Sequence, residues 1–289
     1  MQAEATTDRP GADTAAYPDR DPRETFAPNL LADRVALISG GGTGIGFGIA
    51  RTLGLLGAKI SLMSRKADVL EKAVADLESK GIKATYAVAD VRDLDQVQAA
   101  VDATVERFGS LDILVNNAAG LFHSPAENLS ANGWKVLVDI DLNGTFFCCK
   151  AAFNALKASK HGGRIVSIVS PYAWTSWPGA ANATAAKAGI IALSHTLAQE
   201  WANAGILINT VAPGPIRGTG GIERMSSERK DLELAHVALG RFGQIADIAE
   251  AIVYLSSPAG SYITGADLLI DGGRQFNFVP SKLSRLHTL

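Results

Sequence analysis

The stretch Ser39 to Gly46, SGGGTGIG, follows an apolar run and opens a helix-length segment. Glycines at 40, 44 and 46 suit a tight turn whose backbone approaches a pyrophosphate, at a helix N-terminus where free amides and the helix dipole favour anions. Ile45 sits in the same turn. Strand, glycine turn and helix in this order separate a dinucleotide cradle from a merely structural turn. At the end of the next apolar run, where a carboxylate would hold a ribose 2′-hydroxyl, stand Ser64, Arg65 and Lys66. Two cations and a hydroxyl suit a 2′-phosphate, so NADP(H) is the expected cofactor. The plainer use of the same two cations is to solvate a helix start. Asp90 and Val91, in VADVRD, follow the third apolar run, where Asp90 could accept from an adenine amino group or instead cap the next helix.

The elements that must position these residues are short apolar runs alternating with longer segments of helical period, the pattern of βαβ units. Strands are expected at 34–39, 59–64, 83–89, 111–117, 163–170, 206–213 and 266–271. Seven strands with intervening helices make one α/β domain of Rossmann type, a doubly wound seven-stranded parallel sheet that binds ligands at the carboxyl ends of its strands. The domain is expected over residues 31–275, between a flexible arm over 1–30 and a tail over 276–289. The arm is rich in Pro, Asp and Arg, with too little apolar surface to offset its ordering entropy; Phe26 is where it could dock.

With 47% hydrophobic and 19% charged residues and a net charge of -2, the 289-residue chain has ordinary globular composition. That balance gives no electrostatic case for nucleic acid. Cys148 and Cys149 are adjacent in an apolar helical run, a poor disulfide framework and a poor metal site, so no metal is expected. No apolar segment reaches the roughly 20 residues of a membrane span, and the N-terminus lacks the charged-then-apolar order of a signal peptide. A cytoplasmic protein is expected: Ser281 to Leu283 spell SKL but internally, and the sequence closes on His287, Thr288 and Leu289, without the central cation of a peroxisomal tripeptide.

Four ordered motifs, SGGGTGIG, DILVNNAAG, Lys187 and PGPI, make the chain similar to the short-chain dehydrogenase/reductase family over about residues 32–275. The resemblance implies that Asn116, with Asn117 and its other neighbours, stabilises the central strand, and that Lys187 bonds the nicotinamide ribose. It also implies that Pro213, Gly214, Ile216 and Thr219 line the nicotinamide amide. In that family the usual acid is a tyrosine four residues before the lysine, helped by a serine seventeen before it and an asparagine on the preceding helix. Here those places hold Ala183, Ser170 and Asp141.

NNAAGLF, DIDLNGTF, AAKAG, LAQEW and PGPIRGTGGIERM resemble the 2,4-dienoyl-CoA reductase branch, most closely its peroxisomal type. That branch lacks the tyrosine, and its peroxisomal members use an aspartate where Asp141 stands. The resemblance carries a catalytic role to Lys187, Asp141 and Asp271 of IDGG. Tyr172 stands where the mitochondrial type keeps its active-site tyrosine. Leu121 replaces an asparagine found in both types, a departure that removes a donor near the thioester. Leu121, Phe122, Tyr172 and Arg224 are the candidate substrate contacts; Arg224 could reach a CoA phosphate, although the commoner use of a loop arginine is to stand in solvent. A homotetramer is implied as well, and the apolar outer faces of the helices over 141–158 and 185–201 agree with it.

The missing tyrosine has a chemical reading. A ketone reduced by hydride becomes a localised alkoxide, which needs a hydroxyl acid in contact. A dienoyl thioester becomes a dienolate instead, with its charge spread onto the thioester oxygen, and needs oxyanion donors and a water-borne proton more than a phenol. On this reading Asp141 and Asp271 hold a proton-donating water, and Ser170 or Tyr172 steadies the thioester oxygen. Each has a plainer use: Asp141 as a helix anchor, Asp271 in a turn, Tyr172 as pocket wall, Ser170 as a strand-end hydroxyl. Two other functions compete, a carbonyl or other activated-alkene reductase with Tyr172 as acid, and a catalytically silent NADP(H)-binding regulator.

Overall fold

The computed structural model describes residues 20–276. Seven strands form one sheet: β1 (Val35–Ser39), β2 (Lys59–Ser64), β3 (Ala84–Val88), β4 (Ile113–Asn116), β5 (Gly163–Ile168), β6 (Ile206–Pro213) and β7 (Asp267–Ile270). Their order is β3-β2-β1-β4-β5-β6-β7 and every pairing is parallel. The seven expected strands are thus all present, in a doubly wound α/β domain. The direction of winding reverses between β1 and β4, which opens a crevice at their carboxyl ends.

The helices are α1 (Pro22–Thr25), α2 (Gly44–Leu55), α3 (Ala67–Ser79), α4 (Leu94–Phe108), α5 (Ala131–Val138), α6 (Gly144–Lys157), α7 (Tyr172–Thr175), α8 (Ala181–Trp201), α9 (Gly220–Glu223), α10 (Ser227–Ala235) and α11 (Ile245–Ser256). Alternate residues of each strand feed opposite faces of the sheet. Ala36, Ile38, Ile60, Leu62 and Val115 pack with Ile49 and Leu53 of α2 and Ile252 of α11. Leu37, Met63, Leu114 and Ile165 pack on the other face with Val97 of α4 and Ala152 of α6. Two helix starts show their local cause. Asp93 caps α4 by accepting from the amides of Asp95 and Gln96 at 3.0 and 3.1 Å. Thr43, by contrast, precedes α2 in extended conformation without a side-chain cap bond, which leaves the first-turn amides of α2 to a ligand.

Packing begins before residue 31. Asp21 caps α1, Phe26 and Leu30 rest on the core, and Arg20 reaches Asp247 and Glu250 of α11 at 2.9 and 3.2 Å. The rest of the expected arm, 1–19, and the tail beyond Phe276 lie outside the described residues. Among the described residues no helix is long and apolar enough to cross a membrane, and no group of His, Cys, Asp and Glu could hold a metal ion. Cys148 and Cys149 are free and buried. Burial pushes both thiols up, Cys149 to about 12, so neither is a ready nucleophile.

Candidate active site

The glycine turn is built by close approach. Gly40 and Gly44 have φ of +62° and +55°, a region that side chains disfavour. A Cβ at Gly46 would lie 2.4 Å from Asn117 Nδ2 and 2.5 Å from the Gly40 carbonyl oxygen. Asn117 laces this turn to β4: its Nδ2 donates to the carbonyls of Ser39 and Gly40, both at 3.1 Å, and its amide donates to Ser39 Oγ at 3.0 Å. A Cβ at Gly44 would meet nothing within 4 Å, so the turn is open on that side. An open turn at the uncapped start of α2 fits a pyrophosphate. Ile45 is fixed beneath it against the core.

Ser64, Arg65 and Lys66 border one cavity with Gly42 and Thr43, and Arg65 and Lys66 are exposed. A neighbouring cavity lies between Ser64, Asp90, Val91 and Ala118. Asp90 does not cap α4, a role that belongs to Asp93. Its carboxylate accepts from Arg92, at 3.0 Å from Nε to each oxygen and 2.5 Å from Nη2. Those bonds hold its carboxyl below the usual range although burial pulls the other way, with Arg65 adding to the effect. Val91 is buried under α6, where a Cβ on Gly144 would stand 2.8 Å from its Cγ2.

Opposite the cradle, α5 and α6 are joined by a π-helical turn, Asp139–Asn143. Such a turn carries an extra residue and re-aims a side chain. Asp141 is fully buried in it. Its Oδ1 accepts from the Gly120 amide at 2.8 Å, and Oδ2 stands 3.3 Å from Lys187 Nζ. That second contact is a charge–charge approach, since no donor is aligned on Oδ2 for a hydrogen bond. Lys187 instead donates to the Ile168 carbonyl at 2.9 Å, at the end of β5. The structure therefore brings Asp141 and Lys187 together and leaves one buried acceptor unused between them.

Ala183 is buried in a small apolar cluster with Leu137 and Ala180, and Trp177 packs against that cluster. Trp177 meets the ring of Tyr172 edge to face at 4.1 Å. Burial pushes the Tyr172 phenol well above its ordinary value, against a smaller opposing effect from Arg274. Ser170 Oγ accepts from the Tyr172 amide at 3.4 Å, the local bond of a strand-end serine.

Asp271 directly follows β7. Its Oδ1 accepts from the Gly273 amide at 2.9 Å and Oδ2 from the Gln275 amide at 2.7 Å, so both oxygens build the turn after β7. Gly214 packs against it, a Cβ there falling 2.5 Å from Asp271 Cα. Pro213 ends β6, Ile216 is buried, and Thr219 Oγ1 donates to the Ile216 carbonyl at 2.7 Å. Leu121 and Phe122 are 58% and 39% exposed. Arg224 is exposed and folds back on its own loop, with Nε donating to the Gly220 carbonyl at 2.7 Å. Sequence reasoning missed Trp177 as a neighbour of the Ala183 cluster, the Gly120 amide as a partner of Asp141, and Arg274. The aromatic run around Trp177 was the one available signal.

Residues 40–275 match the family model described as Enoyl-(Acyl carrier protein) reductase. The chain is 41% identical over 257 residues to a peroxisomal 2,4-dienoyl-CoA reductase, (3E)-enoyl-CoA-producing, of Arabidopsis thaliana, covering 86% of each chain. It is 37% identical over 254 residues to a probable 2,4-dienoyl-CoA reductase, (2E)-enoyl-CoA-producing, of Bacillus subtilis, covering 86% of this chain and 100% of the other. Among solved structures it resembles a short chain dehydrogenase from Bacillus anthracis with a TM-score of 0.78 at 40% identity, covering 84% of this chain and 96% of that one.

Proposed function

The chain belongs to the short-chain dehydrogenase/reductase family, and from that premise we propose that it reduces a conjugated double bond of a 2,4-dienoyl-CoA, or a related enoyl thioester, with NADPH. The observation that carries this reading is the buried Asp141–Lys187 pair, with a buried Ala183 in an apolar cluster one helical turn before Lys187. A site without a phenol acid suits a substrate whose negative charge is delocalised. The two 2,4-dienoyl-CoA reductases that the chain resembles agree with it.

Gly40, Gly44, Gly46 and the amides of α2 would hold the pyrophosphate, Arg65 and Lys66 the 2′-phosphate, and Lys187 the ribose. Bound NADPH would supply a hydride to the far end of the diene, leaving a dienolate to be protonated on carbon. Lys187, oriented by the Ile168 carbonyl, brings positive charge toward that dienolate. Asp141 offers Oδ2 as the acceptor for a water that carries the proton. Gly120 is committed to Asp141 and donates nothing to substrate. Tyr172 stays neutral and offers its hydroxyl to the thioester oxygen in place of the donor that Leu121 lacks. Asp271 serves by shaping its turn.

Carbonyl reduction by Tyr172 is the weaker reading, because a phenol pushed upward by burial is a poorer acid at neutral pH. The test is NADPH consumption across dienoyl thioesters, enones and ketones. Turnover confined to the thioesters is expected; turnover of ketones lost in Tyr172→Phe would favour the second reading, and tight NADPH binding with no turnover of anything would favour a regulator. We extend the reading to a homotetramer acting in the cytoplasm. Exposed Phe146 on α6 and exposed Tyr254, Tyr262 and Leu268 are apolar surface that association would cover. Free, buried Cys148 and Cys149 suit a reducing compartment.

A further inference from the structure

Three segments of the cleft meet on Arg274, which has no part in the chemistry above. Its Nε and Nη2 both donate to Glu233 Oε2 of α10, at 3.0 and 2.8 Å, and each side chain is only 16% exposed. The guanidinium carbon lies 5.5 Å from the ring centre of Tyr172 and 4.8 Å from that of Trp177. Trp177 packs against the cluster that holds Ala183, which precedes Lys187 by one helical turn on the same face of α8. Asp271 supplies the aim: with both oxygens bonded to the amides of Gly273 and Gln275, it fixes the turn from which Arg274 projects.

The chemistry of the group matters here. A guanidinium is planar and delocalised, so it can stack on rings while its edge pairs with a carboxylate. Glu233 balances the charge that partial burial would otherwise leave bare. A methionine of similar length would fill the space but orient neither ring nor α10. We propose that Arg274 is a positioning residue that determines specificity: it holds the Tyr172–Trp177 wall beside Lys187 and ties α10 to that wall, so that acyl substrate binding depends on it while proton transfer does not. The identity of the substrate in this inference rests on the dienoyl thioester reading; the tie itself rests on the geometry alone.

The experiment compares the full-length protein with Arg274→Met, Arg274→Lys and Glu233→Gln. In Arg274→Met, KM for sorboyl-CoA should rise by about tenfold, the scale of a desolvated cation–ring contact, with kcat within about threefold of wild type. NADPH affinity should not change. Arg274→Lys should restore part of the loss, because an ammonium pairs with Glu233 but does not stack as a plane. Tryptic cleavage at Arg224, Arg229 and Lys230 should quicken by about fivefold or more in Arg274→Met and Glu233→Gln, since α10 loses its tie. Wild-type KM with wild-type cleavage would overturn the proposal, as would equal falls in kcat and kcat/KM. Should the wild-type protein turn over no dienoyl thioester, the substrate reading fails by itself, and the cleavage rates still decide whether Arg274 ties α10 to the wall.

Discussion

Lys187 Nζ stands 3.3 Å from Oδ2 of the fully buried Asp141, yet its aligned hydrogen bond goes to the Ile168 carbonyl. The pair is thus held by charge, and Oδ2 keeps an unused acceptor position. A buried acceptor without a donor is costly unless water or a ligand supplies one.

Asp141→Asn keeps the shape of the side chain and an acceptor for the Gly120 amide but removes the charge. Turnover of a dienoyl thioester should fall by roughly 10² to 10⁴-fold, the range of lost acid–base help. NADPH affinity should hardly move. Stability should drop by about 1–3 kcal/mol, because Lys187 loses its counter-charge while keeping Ile168. Full turnover in the surviving folded fraction, measured by active-site titration with NADPH, would make Asp141 structural.

On the proposed reading, Lys187→Ala removes both a cofactor contact and the charge beside the dienolate. Turnover and NADPH affinity should fall together, the affinity by about tenfold or more, as expected for a charge-assisted bond. Fluorescence titration of NADPH checks the second part. An unchanged affinity would detach Lys187 from the ribose.

Arg65→Ala combined with Lys66→Ala should abolish the preference for NADPH over NADH. Charge-assisted bonds to a phosphate contribute more than neutral ones, so kcat/KM for NADPH should fall by at least about tenfold while that for NADH stays level. Equal efficiency with the two cofactors in the unmodified protein would refute the 2′-phosphate reading at once.

The seven strands were legible because each is a compact apolar run; β1, VALIS, is buried at every residue. The glycine turn was legible for the same reason that it works: the backbone approaches of Gly40 and Gly46 to Asn117 admit no side chain. The π turn was not. DIDLN reads like any helical stretch, and the close approaches around it, Leu142 to Gly189 and Gly144 to Val91, join residues far apart in sequence. Asp271 lies in an Asp-Gly-Gly stretch that points to a turn, and its oxygens accept from the Gly273 and Gln275 amides. The Arg274–Glu233 tie joins the turn after β7 to α10, 41 residues apart, where no periodicity points to contact. Composition near the start of the domain registers Pro, Asp and Arg but not that Arg20 finds Asp247 and Glu250.

That last contact makes a pH prediction. Burial alone would raise the Asp247 carboxyl, but hydrogen bonds from Arg241 and the Gln244 amide, with the charges of Arg241 and Arg20, leave it below its ordinary value. The native state therefore holds this proton more weakly than the unfolded chain. Its contribution to stability is present above the ordinary carboxylate value of about 3.9 and is lost as pH falls through the lower native value. Asp247→Asn should lower the melting temperature at neutral pH and narrow the gap to wild type in strong acid. A gap that widens on acidification would reverse the assignment.

Tyr172 gives a second pH test. Burial holds its phenol protonated, so it should contribute no alkaline limb to the rate profile below the ordinary tyrosine value of about 10. Tyr172→Phe should slow dienoyl reduction by about tenfold or less through loss of a hydrogen bond, with the shape of the profile retained. If an alkaline limb vanished in that variant, Tyr172 would be the acid.

The central claim is that this chain sends hydride to the far end of a conjugated thioester. Sorboyl-CoA should be reduced with NADPH carrying deuterium at its transferable position, and the product analysed by mass spectrometry and NMR. The account predicts an enoyl-CoA with one deuterium at the δ carbon and a solvent-derived proton at another carbon of the former diene. Deuterium on the thioester carbonyl carbon, or label transferred to ketones and not to sorboyl-CoA, would contradict it.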